Sequence, residues 1–267
     1  MNLFLIKKRV TFQRFSFCSM SKTISLLQKM QPTIEVSFSP LLYPYKITAG
    51  KFITVVTDIF RATTSIVSAM DFGIESIIPV KGVDDAKKMK ADGYLVACER
   101  DGKLLDFADI GNSPSDFWKS ELKGKTLAFS TTNGTQAINL AKEDAIDVLI
   151  GGFINLQSLA EVLIRKNESV VILCAAWKNL FNLEDTLFAG ALAEILLDQN
   201  FTTHCDSCRA SMHLWTGAKN NLEDYLAESS HRQRLSHIMS QADFKYSIQL
   251  NQCQNVPVLK DSKLINL

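Results

Sequence analysis

Residues 126–141, TLAFSTTNGTQAINLA, change character at their middle. A run of apolar residues stops at two threonines, an asparagine, a glycine and a third threonine, and a helical pattern then begins. The apolar run reads as a strand. Its continuous rather than alternating pattern indicates burial on both faces, as in a parallel sheet covered by helices. The same grammar recurs along the chain. FITVVTD (52–58) leads into ATTSIVSAMDFG, ESIIPV (75–80) into DDAKKMKADG, and YLVACE (94–99) into a polar loop. DVLIGG (147–152) precedes NLQSLAEVLIRK, and SVVILCA (169–175) precedes NLEDTLFAGALAEILLDQ. With KTLAFST (125–131) these units predict an α/β fold, layered α/β/α around a mostly parallel buried sheet. From about residue 204 helical patterns dominate, which makes the C-terminal part helix-rich, and NVPVLK (255–260) offers one last short strand.

The chain has 267 residues, 46% hydrophobic and 21% charged, which is ordinary for a soluble globular protein. A formal charge of +1 makes no case for nucleic acid or a membrane surface as partner. That balance hides an asymmetry, because residues 1–34 carry six Lys or Arg and no acid, leaving the remainder at −5. Residues 1–33 therefore read as a basic leader with the composition of a transit peptide, or as a disordered or misassigned start, since Met20 and Met30 offer later ones. No apolar run in it is long enough to span a bilayer. Residues 34–267 read as one α/β domain. The six cysteines (Cys18, Cys98, Cys174, Cys205, Cys208, Cys253) show no disulfide framework and fit a reducing cytoplasm. Cys205 and Cys208 form one C-x-x-C beside His204, but no second ligand pair completes a zinc site.

In sheets of this kind, ligands sit at the carboxyl ends of the strands. Those ends hold Asp58, Glu99 and the run Thr131, Thr132, Asn133, Gly134, Thr135, with Asp106 and Asp109 in the loop after Glu99. Glu184 and Asp185 follow in the first turn of the next helix, where acids also favour the helix dipole. Gly134 lets a ligand approach the backbone, the amides of the helix start favour an anion, and the hydroxyls add donors. One of these residues is explained by helix capping, but not five. In TDIFRATTSIV (57–67), Asp58 ends a buried strand, Arg61 brings a phosphate-matching fork, and Thr63 and Thr64 open a helix. An Asp58–Arg61 ion pair with threonine capping is the structural alternative. Ser113 in GNSPSDF (111–117) reads as the cap of a helix with Pro114 first. Together these features suggest a phosphorylated substrate and Mg²⁺, a hard cation that takes few carboxylates plus phosphate oxygens.

The blocks VTDIFRATTSIVSA, ERDGKLLDFADIGNSPSDF, STTNGTQAI, IGGFINLQSLAE, NLEDTLFAGAL and ESSHRQRL resemble, in order, the motif series of the 2-phosphosulfolactate phosphatase family. The resemblance covers roughly residues 34–267. It implies an α/β fold and Mg²⁺-dependent hydrolysis of a phosphorylated sulfonate ester, a step toward coenzyme M in methanogens. The motif positions are Asp58, Arg61, Thr63, Thr64, Glu99, Arg100, Asp109, Asn112, Ser113, Thr131, Thr132, Asn133, Gly134, Glu184, Asp185, Ser230 and His231. Chemistry then assigns Asp58, Arg61, Glu99 and Asp109 to catalysis, with Glu99 or Asp109 protonating the leaving alkoxide. Thr63, Thr64, Asn112, Ser113, Thr131, Thr132, Asn133, Gly134 and His231 are assigned to substrate, and Asp58, Glu99, Glu184 and Asp185 to Mg²⁺. A lone histidine on a helix is more often structural than catalytic. The implied partner is a small phosphorylated sulfonate or carboxylate; a homo-oligomer is left open.

Two departures from the family pattern stand out. Asp101 occupies a position where glycine is common, and CAAWKNLFNLED lacks the glycines expected around 176–179. If that second loop shapes the sulfonate pocket, the substrate differs. A haloacid-dehalogenase-type reading is disfavoured because Phe60 stands where that chemistry wants a second acid. A non-catalytic binder of a phosphorylated or anionic metabolite is the remaining alternative, and turnover with Mg²⁺ distinguishes it.

Overall fold

A computed structural model of the chain describes residues 31–46 and 50–267. The expected leader therefore falls, for residues 1–30, outside the described residues. Strand β1 (Ile34–Ser37) precedes β2 (Phe52–Thr57), β3 (Ser76–Pro79), β4 (Leu95–Arg100), β5 (Lys103–Leu104), β6 (Thr126–Ser130), β7 (Asp147–Gly151) and β8 (Ser169–Cys174). A C-terminal pair, β9 (Pro257–Lys260) and β10 (Lys263–Asn266), completes one sheet. Its order is β1-β8-β2-β7-β9-β10-β3-β6-β4-β5.

Two parallel sets make up most of this sheet. Strands β1, β8, β2 and β7 pair in parallel, as do β3, β6 and β4. The β9–β10 hairpin lies between the sets, antiparallel to β7 through Leu149↔Val258 and to β3 through Leu264↔Ile77. Its two-residue turn uses positive φ at Asp261 (46°) and Ser262 (67°), which suits the twist of a tight hairpin.

The continuous apolar runs do lie buried on both faces. Along β2, Ile53 and Val55 enter one core cluster while Phe52 and Val56 enter another, and β8 splits in the same way. The first cluster is covered by α4 (Leu156–Lys166), α5 (Leu183–Leu197) and α6 (Asp206–Ala218). The second is covered by α1 (Ala62–Asp71) and α3 (Gly134–Ala141). Helix α2 (Val83–Ala91) contributes Ala86 to a smaller cluster with Val96, Cys98 and Ala128. Short helices α7 (Leu222–Ala227), α8 (Ser230–Arg234) and α9 (Gln241–Ser247) make up the helix-rich C-terminal part. The layered α/β/α architecture is thus observed.

Three local features stand apart. Helix α5 is not amphipathic: residues from Glu184 through Ala193 are all buried, and a Cβ built on Gly190 would stand 2.2 Å from the Ser211 carbonyl oxygen of α6. The absence of a side chain there is what lets the two helices approach. The segment after Ser113 is a short 3-10 turn, Pro114–Phe117, rather than an α-helix. Strand β1, an edge strand of four residues, carries too short a pattern to be read from sequence. No helix among the described residues is long and apolar enough to cross a membrane.

Candidate active site

The turn after β2 is cross-bonded to its neighbours. The Asp58 amide donates to Thr63 Oγ1 (2.9 Å), the Thr63 amide donates to the Asp58 carbonyl (3.0 Å), and Thr64 Oγ1 donates to the Ile59 carbonyl (3.0 Å). Thr63 and Thr64 are fully buried, and both hydroxyls build the turn, Thr63 as an acceptor and Thr64 as a donor. The Phe60–Arg61 peptide bond within the turn is cis. Asp185, from the first turn of α5, accepts from the Ile59 amide (2.9 Å) and the Ala176 amide (3.3 Å). Both of its oxygens are therefore committed to backbone. Burial, then the charges of Glu184 and Asp58, raise its pKa well above the usual carboxylate range. Asp185 thus ties two loops together.

Arg61 does not pair directly with Asp58. Its guanidinium donates through Nη1 to Ser113 Oγ (2.8 Å) and through Nη2 to the Gly102 carbonyl (3.0 Å). Glu99, at the end of β4, accepts from the Gly102 amide (2.6 Å) and the Thr132 amide (2.8 Å), with Thr132 Oγ1 at 3.3 Å. This carboxylate joins the β4–β5 turn to the end of β6. Arg61, Ser113, Glu99 and Thr132 thus form one connected polar frame.

The Thr-rich turn divides its labour differently from the sequence expectation. Thr131 Oγ1 accepts from the Thr135 amide (3.1 Å), while Thr135 Oγ1 accepts from the Thr131 amide (3.0 Å). That reciprocal pair caps α3, so Thr131 is a capping residue. Gly134 has no positive φ. It is glycine because a Cβ there would meet Ala62 Cβ at 2.4 Å and Asp58 Oδ2 at 2.8 Å. Helix α3 starts directly against the Asp58 carboxylate.

On the other side of the cavity, His231 Nδ1 and Glu184 Oε1 are hydrogen-bonded at 2.5 Å. Glu184 is fully buried, and its Oε2 has no hydrogen-bond partner; the same is true of Asn112 Oδ1. A buried orphan oxygen is costly unless something else satisfies it. Asp58 is 6% exposed, and its pKa is pushed up from 3.8 to about 6. Burial is the largest cause and the charges of Glu99 and Glu184 add to it, against the opposing attraction of His231.

These groups line one cavity of about 160 Å³, a size that admits a benzene-sized guest. Of the expected site residues, Asp58, Arg61, Glu99, Asn112, Thr132, Asn133 and His231 line it. Ser113, Gly134 and Glu184 stand directly behind this lining through the contacts just given. Asp109 is elsewhere: it pairs with Lys90 and accepts from the Val96 amide (2.9 Å). Burial raises its pKa, but Lys90 and the amide outweigh that and leave it lowered. Asp109 therefore anchors β4 and does not line this cavity. Asp101, Trp177, Lys178 and Arg234 also line the cavity and are not among the expected site residues. The only sequence signals at these positions are the two departures from the family pattern and the basic residues of HRQRL.

Among the described residues no group of three His, Cys, Asp or Glu side chains is disposed to hold a metal ion. This includes the C-x-x-C. Its Cys205 instead accepts from Lys46 Nζ (3.1 Å), and Cys208 is buried with its pKa pushed up to about 11. Both are free thiols, as are Cys98, Cys174 and Cys253.

Comparison with known proteins supplies the context. The sequence pattern of the 2-phosphosulpholactate phosphatase family matches residues 39–262. A protein of Thermotoga petrophila named probable 2-phosphosulfolactate phosphatase is 32% identical over 211 residues, covering 79% of this chain and 90% of its own length. Proteins of the same name from Prochlorococcus marinus (35% over 221 residues, 79% and 90%) and Carboxydothermus hydrogenoformans (34% over 230 residues, 84% and 94%) are similar over the same span.

Proposed function

The chain belongs to the 2-phosphosulfolactate phosphatase family, and on that premise we propose that it is a phosphoric monoester hydrolase converting 2-phosphosulfolactate to sulfolactate and phosphate with Mg²⁺. The observation that carries this reading is the meeting of Asp58, Arg61, Glu99 and the Glu184–His231 pair at one small cavity.

The donor set suits a sparsely held hard cation. Asp58 carries an elevated pKa chiefly because it is buried, with Glu99 and Glu184 adding to the shift, and Glu184 Oε2 has no partner among the described residues. A divalent cation would relieve both. Mg²⁺ needs only one or two carboxylates when substrate and water complete its shell, so a missing three-ligand cluster is no obstacle. Asp58 and Glu184 are the residues that would hold it, with Glu184 Oε2 free for it, whereas each oxygen of Glu99 and Asp185 already accepts a backbone amide. When bound, the ion supplies Lewis-acid polarisation of the phosphoryl group.

The chain's own residues supply the rest. Arg61 is anchored by two hydrogen bonds, and a guanidinium has five N–H donors, so it retains donors for the equatorial phosphoryl oxygens. Anchoring fixes those donors before substrate arrives, which is the condition for strong charge stabilisation. Glu184 orients the imidazole of His231 through Nδ1, leaving Nε2 to exchange a proton with substrate or water at the cavity. The leaving alkoxide needs such a proton, and His231 replaces Asp109 in that role.

The test is phosphate release by the purified protein from a panel of phosphorylated hydroxy acids, with Mg²⁺ or with EDTA. Release from 2-phosphosulfolactate, dependent on Mg²⁺, is expected. No release from any ester in the panel overturns the reading.

A further inference from the structure

Three cationic side chains line the cavity besides His231, and Arg234 is the one held most lightly among the described residues, its Nη1 donating to Ser230 Oγ (3.2 Å). Arg61 is 4% exposed and fixed to Ser113 and Gly102, among the charges of Glu99, Asp116 and Asp58. Lys178 forms an ion pair with Asp101 at 2.8 Å. Arg234, at the end of α8, is exposed and makes no ion pair among the described residues. Its guanidinium carbon lies 4.3 Å from the centroid of the Trp177 ring. A guanidinium stacked on an aromatic face points its N–H edge outward, and with five donors it keeps several beyond the one given to Ser230 for gripping an oxyanion.

The loop that presents Trp177 is built to stay in place. Ala176, Lys178 and Asn179 all have positive φ (58°, 51° and 65°), and Trp177 and Leu180 exchange backbone hydrogen bonds of 3.1 and 2.9 Å. The Ala176 amide is tied to Asp185, and the Lys178 amide donates to Asn133 Oδ1 (3.1 Å). Asp101, also at positive φ (51°), reaches across from the β4–β5 turn to hold Lys178. The two stretches that depart from the family pattern thus meet in space.

We propose that Arg234, stacked on Trp177, receives the second anionic group of the substrate, a sulfonate or carboxylate on a carbon next to the ester carbon, and that the Asp101–Lys178 pair fixes the loop that orients it. This rests on the phosphatase reading above. With three acids on the cavity wall, a multiply charged ester is repelled unless a cation is available beyond those holding the phosphoryl end. Arg234 is that cation, so it sets which phosphate esters are accepted.

The experiment compares kcat/KM for 2-phosphosulfolactate, 2-phospholactate and p-nitrophenyl phosphate in wild type, Arg234→Ala and Arg234→Lys. Melting by circular dichroism establishes that each variant is folded. In Arg234→Ala the preference for 2-phosphosulfolactate over p-nitrophenyl phosphate should fall about 10- to 100-fold, as expected for one lost charged hydrogen-bonding partner. Arg234→Lys, which keeps the charge but not the fork, should fall in between. A fall confined to 2-phosphosulfolactate identifies the sulfonate as the group received; a fall shared by 2-phospholactate identifies the carboxylate. Equal losses on all three esters, or none, overturn the proposal. If wild type hydrolyses no ester, the phosphatase reading is lost and calorimetric binding of sulfolactate decides the matter separately. Binding that disappears in Arg234→Ala upholds the subsite, and equal binding removes it.

Discussion

The same substitution at two glycines should have opposite effects. At Gly134 an added Cβ would lie 2.4 Å from Ala62 Cβ and 2.8 Å from Asp58 Oδ2. Neither neighbour is the loose end of a flexible side chain, so α3 and the Asp58 turn must separate by at least about 0.6 Å to restore even a tight 3.0 Å contact. Overpacking of this kind costs about 1–3 kcal/mol. Its effect on turnover should be larger, because a displacement approaching 1 Å at a catalytic carboxylate costs about 10²-fold in rate. Gly217, within α6, has nothing within 4 Å of an added Cβ and no positive φ. Alanine there should stabilise by about 0.5–1 kcal/mol through helix propensity and a less flexible unfolded chain. The assay is differential scanning calorimetry with phosphatase kinetics on Gly134→Ala, Gly217→Ala and the double variant. The two sites are independent, so their effects should add. A Gly134→Ala protein with wild-type melting and wild-type kcat/KM would refute the steric reasoning, since α3 would then have room at its start.

Three further outcomes follow from the site. The folded-state pKa of Asp58, about 6, lies above its ordinary 3.8, so the folded protein binds the extra proton in between. The stability this group contributes is present below about pH 4 and lost as pH rises through 6. Asp58→Asn should therefore lose turnover in Mg²⁺, yet when metal-free be up to about 3 kcal/mol more stable than metal-free wild type above pH 7, at about 1.4 kcal/mol per pK unit; urea melts showing a less stable variant there contradict this. Asp109→Asn should cost about 0.5–1 kcal/mol through its exposed pairing with Lys90, with kcat/KM unchanged, and a large fall in rate would return Asp109 to the site. Glu184→Gln should raise the Mg²⁺ concentration for half-maximal activity by about tenfold or more, and an unchanged Mg²⁺ titration removes Glu184 from the metal's surroundings.

The interior strands were legible in the sequence because burial on both faces makes their apolar runs continuous, as in FITVVTD and SVVILCA. Edge and seam strands escape that logic. Strand β1 has four residues, and the β9–β10 turn is Asp-Ser rather than the Asn-Gly that announces a hairpin. At the site, the positions of Asp58, Arg61, Glu99 and His231 were readable as polar groups at strand ends and in motifs, but their partners were not. Spacing does not reveal that Thr131 bonds Thr135, that Asp185 is consumed by two amides, or that Asp109 faces Lys90. The stacking of Arg234 on Trp177 joins residues far apart in sequence and leaves no local pattern.

The β9–β10 hairpin bears on how the chain is made. The two parallel sets have no strand pairing with each other except through it, and its partners Leu149 and Ile77 are synthesised long before Val258 and Leu264. Until the hairpin is in place, the inner edges of the two sets, β7 and β3, lack their strand partners. Open edges of this kind recruit other nascent chains, and contacts so distant in sequence close slowly. A released chain ending at residue 255, with its two sets joined only through their shared core and helices, should be more prone to aggregation or chaperone capture than the full chain.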